Sequence, residues 1–373
     1  MRTRITISVI LALVLISSST VHAQIIYGQP GSAGLKFYYS SWNLEDQDGL
    51  TQDISQGTLD LSGFIPLKEN LEARYQILSG FNTLEYGDAE DDLSGLGDLR
   101  IQISRSFSRD KYLLSAGVNL PTGSRELNAE EERRIVEFLS YDFLTLPMRR
   151  FGEGLGFNIQ AGAATELGRF KCGLSAVYDF LGSYSPYEET GDYDPGDAIS
   201  VNATANTMSG KVSYTGNFGF SIFGTDALED DDIYKQAPQF NARIMAVIPG
   251  QKYTTTIGTR LVIRGRNKRY SLTEGVIDSQ LKKYGDEIGG FVRLSFTGWK
   301  AWNIGTMAGI RQIMANEEEF DASTVFNLGL DLSKAINDRL TFDTGMIYYT
   351  GSADGGEIDM SGFQMSGGIS LSY

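Results

Sequence analysis

Apolar and polar residues alternate with a period of two along most of the chain. In the last such segment, Phe363, Met365, Ile369 and Leu371 share one face, and the positions between them are polar or glycine. Successive side chains of a β-strand point to opposite faces of its sheet, so this pattern predicts strands with one apolar and one polar side. We therefore expect an all-β protein.

Sixteen segments follow this pattern, and short and long connections alternate between them. Their predicted bounds are 32–43, 54–65, 71–83, 95–107, 112–121, 151–166, 169–183, 198–208, 211–224, 236–248, 252–266, 286–297, 300–313, 322–333, 339–350 and 360–373. An even number allows a barrel to close with both chain ends on one side of a membrane. Merging or splitting one hairpin would give 14 or 18 strands.

Two architectures give this alternation, a soluble β-sandwich and a membrane barrel. The segments are longer than the five or six residues usual in soluble strands, and they match the roughly 9 to 11 residues that a membrane strand needs. The chain also ends on Tyr373 inside its last strand, as in the recognition signal of bacterial outer-membrane barrels. We predict a transmembrane antiparallel up-and-down β-barrel of about 16 strands.

The first 23 residues have the features of a secretory signal peptide. Arg2 and Arg4 precede an apolar run over 5–16, and Val21 and Ala23 provide the small residues of a cleavage site. The run is too short for a membrane helix, which needs about 20 residues, and the alternative is a short buried helix. We expect a signal peptide over 1–23 and a barrel over 24–373 in the outer membrane of a Gram-negative cell. The expected partners are membrane lipid, lipopolysaccharide and the barrel-assembly machinery.

The composition excludes several kinds of catalytic and metal-binding site. The net charge is -15, which argues against a nucleic-acid partner, and glycine (43 residues) and aromatic residues (11%) are abundant. His22 is the only histidine and lies in the predicted signal peptide, while Cys172 is the only cysteine. Disulfides within the chain, histidine triads and histidine metal sites are thereby excluded. We expect no catalytic residue, no metal, no cofactor and no enzymatic activity.

Arginines recur on the polar faces of the later strands, which the alternation directs into the lumen. A charge on the lipid face near the membrane midplane costs about 2 to 4 kcal/mol, which supports this direction. The predicted arginine wall consists of Arg243, Arg260, Arg264, Arg266, Arg293 and Arg311. It would act as an electrostatic filter for an anionic or polar solute. Alternatively, its arginines pair with carboxylates and only keep the lumen solvated.

The longest connection, 122–150, is a candidate constriction loop. Asn128 and Glu131 resemble a helix start with a capping pair, and Ile135, Val136 and Leu139 offer an apolar face. The charged residues of this candidate constriction are Glu130, Glu131, Glu132, Arg133 and Arg134. If the loop enters the lumen, its acids would oppose the arginine wall. The alternative is a helix that rests on the outer rim.

Two short motifs carry a family resemblance. Residues 94–99 read Ser-Gly-Leu-Gly-Asp-Leu, and 113–123 read Leu-Leu-Ser-Ala-Gly-Val-Asn-Leu-Pro-Thr-Gly. This pair of strands resembles the outer-membrane barrels of the MetA-pathway of phenol degradation family, over about thirty residues. The resemblance implies an uptake channel for small, often aromatic or hydrophobic compounds, and it implies no particular binding residues.

Together these features predict a passive channel for small solutes. The alternative is a non-conducting barrel with a surface-structural or adhesive role, whose acidic outer loops bind cations. Strand number bears on this choice, because sixteen strands normally leave an aqueous channel whereas eight are filled by side chains.

Overall fold

A computed structural model describes residues 30–87, 89–123, 127, 131–188, 191–271, 277–299 and 302–373. The predicted signal peptide, Asn128 and Glu130 lie outside these described residues. Within the described ranges, no helix is long and apolar enough to cross a bilayer.

Sixteen strands form one closed antiparallel barrel, as predicted. They are Ser32–Asp46 (β1), Thr51–Lys68 (β2), Leu71–Tyr86 (β3), Leu99–Phe107 (β5), Tyr112–Leu120 (β6), Gly156–Leu167 (β7), Phe170–Leu181 (β8), Ala198–Ser209 (β10), Val212–Phe223 (β11), Gln239–Pro249 (β14), Tyr253–Arg264 (β15), Glu287–Trp299 (β18), Trp302–Ile313 (β19), Ser323–Ala335 (β20), Leu340–Ala353 (β21) and Ile358–Ser372 (β22). Each strand pairs with the next barrel strand along the chain, which is the up-and-down topology. Every predicted segment overlaps one of these strands.

The barrel closes between its first and last strands. β1 pairs with β22 from Ser32 opposite Ser372 to Asp46 opposite Ile358. The backbone N–H of Tyr373 extends this seam by donating to the Gly31 carbonyl over 2.9 Å. Closure removes the open sheet edges, whose unpaired backbone groups cannot be satisfied in lipid.

Alternation gives the barrel an apolar exterior. Leu328 and Leu330 of β20 point outward and are 64% and 47% exposed, whereas Val325 on the opposite face is only 4% exposed. Outward Ile159 and Leu174, on β7 and β8, are similarly exposed. Polar side chains occupy the opposite face of the same strands, so the lumen is mostly polar.

Of the six shorter strands, one extends the barrel sheet and five lie outside it. Ala89–Leu96 (β4) pairs with the far end of β3 and precedes β5, and only its last two residues fall within the predicted strand 95–107. The other five form a separate small sheet: Tyr193–Asp194 (β9), Thr225–Leu228 (β12), Asp231–Lys235 (β13), Asn267–Tyr270 (β16) and Ile277–Leu281 (β17). All five belong to long connections, so this outer sheet lies at the end of the barrel where those connections gather.

Candidate functional site

The longest connection folds back onto inward-facing residues of the barrel. It contains a helix, Glu131–Leu139 (α1), then a 3₁₀ turn, Asp142–Leu144, and an extended run to 155; we call 131–155 the inner segment. Its side chains Ile135, Leu139 and Leu144 are all 0% exposed. They belong to one apolar cluster with inward residues of six neighbouring strands, Trp42, Leu44, Ile54, Leu84, Val325, Tyr349 and Met360.

The inner segment therefore occupies part of the lumen instead of resting only on the rim. The strands that it covers, β20, β21, β22, β1, β2 and β3, are contiguous around the barrel, and we call their inward faces the filled sector. Trp42 packs on Tyr349 with ring centroids 4.9 Å apart, and Met148 and Phe151 of the segment are each 2% exposed. At about 25 cal/mol per Å² of apolar surface removed from water, such burial is the main force that docks the segment.

One buried amide clamps the segment to the barrel. Gln56 of β2 donates through Nε2 to the Met148 carbonyl over 2.5 Å and accepts from the Met148 N–H at Oε1 over 2.9 Å. Its Nε2 also donates to Asn82 Oδ1 on the next strand over 2.7 Å. Gly80 of β3 leaves space beside this clamp, since a methyl group there would lie 2.7 Å from Met148 Sδ.

The residues of the two sequence motifs form a second anchor, where the segment rejoins the wall. Asp98 accepts hydrogen bonds from the Glu153 N–H (2.7 Å), the Gly123 N–H (2.9 Å) and Asn119 Nδ2 (2.9 Å). Thr122 donates to the Gly97 carbonyl and accepts from the Leu99 N–H. The residues of the two motifs therefore have a structural role, because their hydrogen bonds connect β5, β6 and the end of the inner segment.

The charged residues of the candidate constriction have local partners where these are described. Arg134 makes a bidentate pair with Asp91 of β4, at 2.7 and 2.8 Å. Arg133 pairs with Glu137 one turn along α1, at 3.1 Å on an exposed surface. The side chain of Glu131 lies outside the described residues, and Glu132 is half-buried. Arg133 and Arg134 therefore take partners on the helix and on β4.

The arginines lie mainly along β14, β15, β18 and β19, which continue around the barrel from β20. Arg243 lies opposite Arg260, Arg260 opposite Gly289, and Gly289 opposite Arg311, so these arginines share one row across the ladder. Their outward neighbours Ile244 and Ile310 are 50% and 45% exposed, which places the arginines on the lumen face.

One carboxylate organises this row. Glu287 at the start of β18 is 1% exposed, and its oxygens lie 3.0 Å from Arg311 Nε, 3.4 Å from Arg260 Nε and 3.8 Å from Arg264 Nη2. A buried carboxylate of this kind is tolerable only when cations surround it. Glu287 was not predicted from the sequence, and the available signal was its inward phase on the strand between Arg260 and Arg311.

The remaining arginines differ from one another. Arg293 pairs with Asp331 of β20 at 2.7 Å, and both side chains are 43% exposed. Arg243 lies over the ring of Phe291, with 5.6 Å between its guanidinium carbon and the ring centroid. Arg266 lies beyond the end of β15 and pairs with Glu317 at 2.5 Å, so it belongs to the outer loops. From here, "arginine wall" means the other five.

Comparison with known proteins gives likeness at the level of fold. No family model matches the sequence, and no curated protein matches it. Similar solved structures include OpdK of Pseudomonas aeruginosa, an outer membrane protein (TM-score 0.46, 10% identity, 91% of this chain and 99% of that chain). OpdL of the same species (0.47, 11%, 92% and 99%) and CymD, described as a monoaromatic hydrocarbon channel (0.46, 14%, 92% and 89%), are also similar. The resemblance to the MetA-pathway family stays a prediction.

The class of protein follows from the barrel itself. Only helices and closed barrels satisfy all backbone hydrogen bonds within lipid, and this barrel combines an apolar exterior with a polar and charged lumen. It is an outer-membrane β-barrel of the porin-like kind.

Proposed function

We propose that the protein is a passive channel for small solutes. The observation that carries this proposal is the division of the lumen, in which the inner segment fills one sector and the arginine wall borders the rest. A sixteen-stranded barrel encloses more space than side chains alone fill, so solutes would pass between the segment and the opposite strands.

We further propose that the arginine wall favours anions. Three of its guanidinium groups, those of Arg260, Arg264 and Arg311, share the single carboxylate of Glu287, and Arg243 lies opposite Arg260 in the neighbouring strand. Fixed charge along a confined pore sets ion selectivity, and salt screens it less there than at the exposed mouth. The acidic outer loops would oppose this preference at the entrance.

Planar bilayers test both parts of the proposal. The wild type should conduct, and its reversal potential across a salt gradient should indicate anion preference that falls in Arg260→Ser combined with Arg264→Ser. Lys211→Ser, in the exposed short turn between β10 and β11 at the other end of the barrel, is the control and should keep the wild-type value. Cation preference that the double substitution does not alter would overturn the filter. A barrel that migrates as folded on unboiled gels yet never conducts would favour the adhesive alternative.

The family resemblance supports aromatic or hydrophobic compounds as the solutes. Bi-ionic potentials with benzoate against chloride measure whether an aromatic anion is preferred. A benzoate permeability well above that of an aliphatic carboxylate of equal charge would support this substrate class, and a lower one would contradict it.

A further inference from the structure

Three asparagines gather on the lumen face across from the filled sector. Asn202 of β10 and Asn241 of β14 flank Gly219 of β11, where a methyl group would lie 2.9 Å from Asn202 Oδ1 and 2.7 Å from Asn241 Nδ2. Asn217 lies one inward position along β11 from Gly219. We call Asn202, Asn217 and Asn241 the amide cluster. Each amide offers two donors and one acceptor oxygen without a net charge.

The amide cluster is continuous with the arginine wall. Asn217 lies directly opposite Arg243, and Arg243 lies directly opposite Arg260. Two like charges at opposed positions repel each other. The Phe291 ring lies on one side of the Arg243 guanidinium, with 5.6 Å between the ring centroid and the guanidinium carbon, and a guanidinium presents its forked N–H donors at its edge. That edge fits the two oxygens of a carboxylate.

Charge at this place is unbalanced. Arg260, Arg264 and Arg311 share Glu287, while Asp286, the carboxylate that precedes it, pairs with Lys282 at 2.7 Å and Asp331 pairs with Arg293. Among the described residues, no ion pair of Arg243 with a carboxylate is present. An incoming anion would therefore relieve repulsion between Arg243 and Arg260.

Position makes the site reachable by solute. In the strand order around the barrel, β10 and β11 lie diametrically across from the seam between β22 and β1, which is the centre of the filled sector. The amide cluster and Arg243 therefore lie on the side of the lumen that the inner segment leaves open.

We propose that Arg243, Arg260 and the amide cluster form a binding site for a small hydroxylated carboxylate. The carboxylate binds the guanidinium edge of Arg243, and the hydroxyls exchange hydrogen bonds with Asn217, Asn241 and Asn202. This inference rests on the proposed channel and names a polar substrate class for it, in place of the aromatic or hydrophobic class that the family resemblance supports. The comparison of gluconate with benzoate below decides between the two classes. Aromatic carboxylates without hydroxyls would engage only the arginine end.

Equilibrium binding to the detergent-solubilised full chain tests the site independently of conduction. Calorimetry would use gluconate, hexanoate (a carboxylate of equal carbon number without hydroxyls), sorbitol (hydroxyls without carboxylate), benzoate and inorganic phosphate. Gluconate should bind more tightly than hexanoate, benzoate or phosphate by about tenfold, a factor that corresponds to about 1.4 kcal/mol. Sorbitol should give no measurable binding.

Two variants separate the two halves of the site. Arg243→Gln should weaken gluconate and hexanoate alike by about tenfold or more, as expected for loss of a charge-assisted bidentate contact. Gly219→Ala, which displaces the amides, should weaken gluconate and leave hexanoate unchanged. Arg74→Gln, an inward arginine on β3 paired with Glu72, is the control and should change neither. Unboiled gels verify that each variant remains a folded barrel.

Several results would overturn the proposal. Equal affinities for gluconate and hexanoate, or an unaltered gluconate affinity in Arg243→Gln, would each do so, and so would phosphate or benzoate that binds as tightly as gluconate. Gluconate binding by a barrel that conducts no ions would refute the channel and leave the site in place. Conduction without gluconate binding would refute the site and leave the channel in place.

Discussion

The two sides of the lumen are stabilised by different physical forces. In the filled sector, apolar side chains of the inner segment pack on Trp42, Ile54 and Leu84, and one amide, Gln56, satisfies the segment backbone. Along the arginine wall, the inward side chains are charged and are arranged around Glu287. The first region behaves like the core of a soluble protein, while the second presents charge to the lumen.

This contrast shows how one barrel combines stability with a polar passage. Apolar burial is non-directional, so many contacts each contribute a small part of the free energy that docks the segment. A buried carboxylate instead depends on a few cations in fixed positions. A single substitution in the filled sector should therefore lower stability only slightly unless it introduces a charge. Substitution of Glu287 should lower stability strongly.

A charge placed in the filled sector should give the largest effect. Leu139→Asp removes a side chain that is 0% exposed and buries a carboxylate, which together cost roughly 5 kcal/mol or more of docking free energy. We expect the inner segment to leave the lumen while the barrel stays closed, and single-channel conductance to rise several-fold. Limited proteolysis should then cut within 131–155. Arg133→Gln, on the exposed face of the same helix, should leave both measurements at wild-type values.

Removal of the shared carboxylate is the corresponding test of the arginine wall. Glu287→Gln leaves three arginines without their common partner and should lower the free energy of unfolding by about 3 to 5 kcal/mol. The reversal potential should shift further toward anions. Asp331→Asn is the matched control, because its pair with Arg293 is 43% exposed on each side and should be worth only about 0 to 1 kcal/mol. Equal losses in the two variants would show that Glu287 has no special role.

The anchor at the two motifs should give an intermediate effect. Thr122→Val removes a hydroxyl that both donates to Gly97 and accepts from Leu99, so it should cost about 1 to 2 kcal/mol, whereas Thr122→Ser retains both bonds. Hydrogen exchange at the Leu99 amide should quicken only in the valine variant. If both variants match the wild type, the motif does not hold β5 to β6 in the manner described.

The smallest effect concerns the outer loops above the arginine wall. The pKa of Glu317 is lowered by hydrogen bonds from the Lys282 backbone N–H and from Arg266. A lowered pKa gives a stabilisation that is present above the unfolded value, about 4.3, and is lost as the pH falls through the folded value. The protection of the Lys282 amide, corrected for the intrinsic pH dependence of exchange, should therefore fall as the pH drops through the folded pKa of Glu317. Glu317→Gln should show this low protection already at pH 7. Protection that changes neither with pH nor with the substitution would refute the pairing.

The sequence predicted the barrel well because strand periodicity is a local property. All sixteen segments were found, since outward residues such as Leu328 and Leu330 alternate with polar ones whatever their partners are. The inward direction of Arg260 and Arg311 followed from the same alternation. Asp98 and Thr122 could be noted from the sequence only as members of the two motifs that carry the family resemblance.

The missed features depend on contacts between distant parts of the chain. Gln56 clamps Met148 across 92 positions of sequence, and Glu287 collects arginines from β15 and β19. Neither partner choice can be deduced from periodicity, which gives a direction for a side chain but not its depth in the barrel. Arg266 illustrates the same limit, because the strand ends two residues earlier and its side chain joins Glu317.

The seam between β1 and β22 has a consequence for the timing of folding. Ser32 must find Ser372, so the pairing that completes the barrel joins residues near opposite ends of the chain. Such a contact carries a large loop-closure entropy and cannot form until both strands are present. Until then the β1 edge offers unpaired backbone groups to any other strand. The chain therefore needs protection from aggregation throughout its journey to the membrane, and its rate of maturation should be set by closure of this seam.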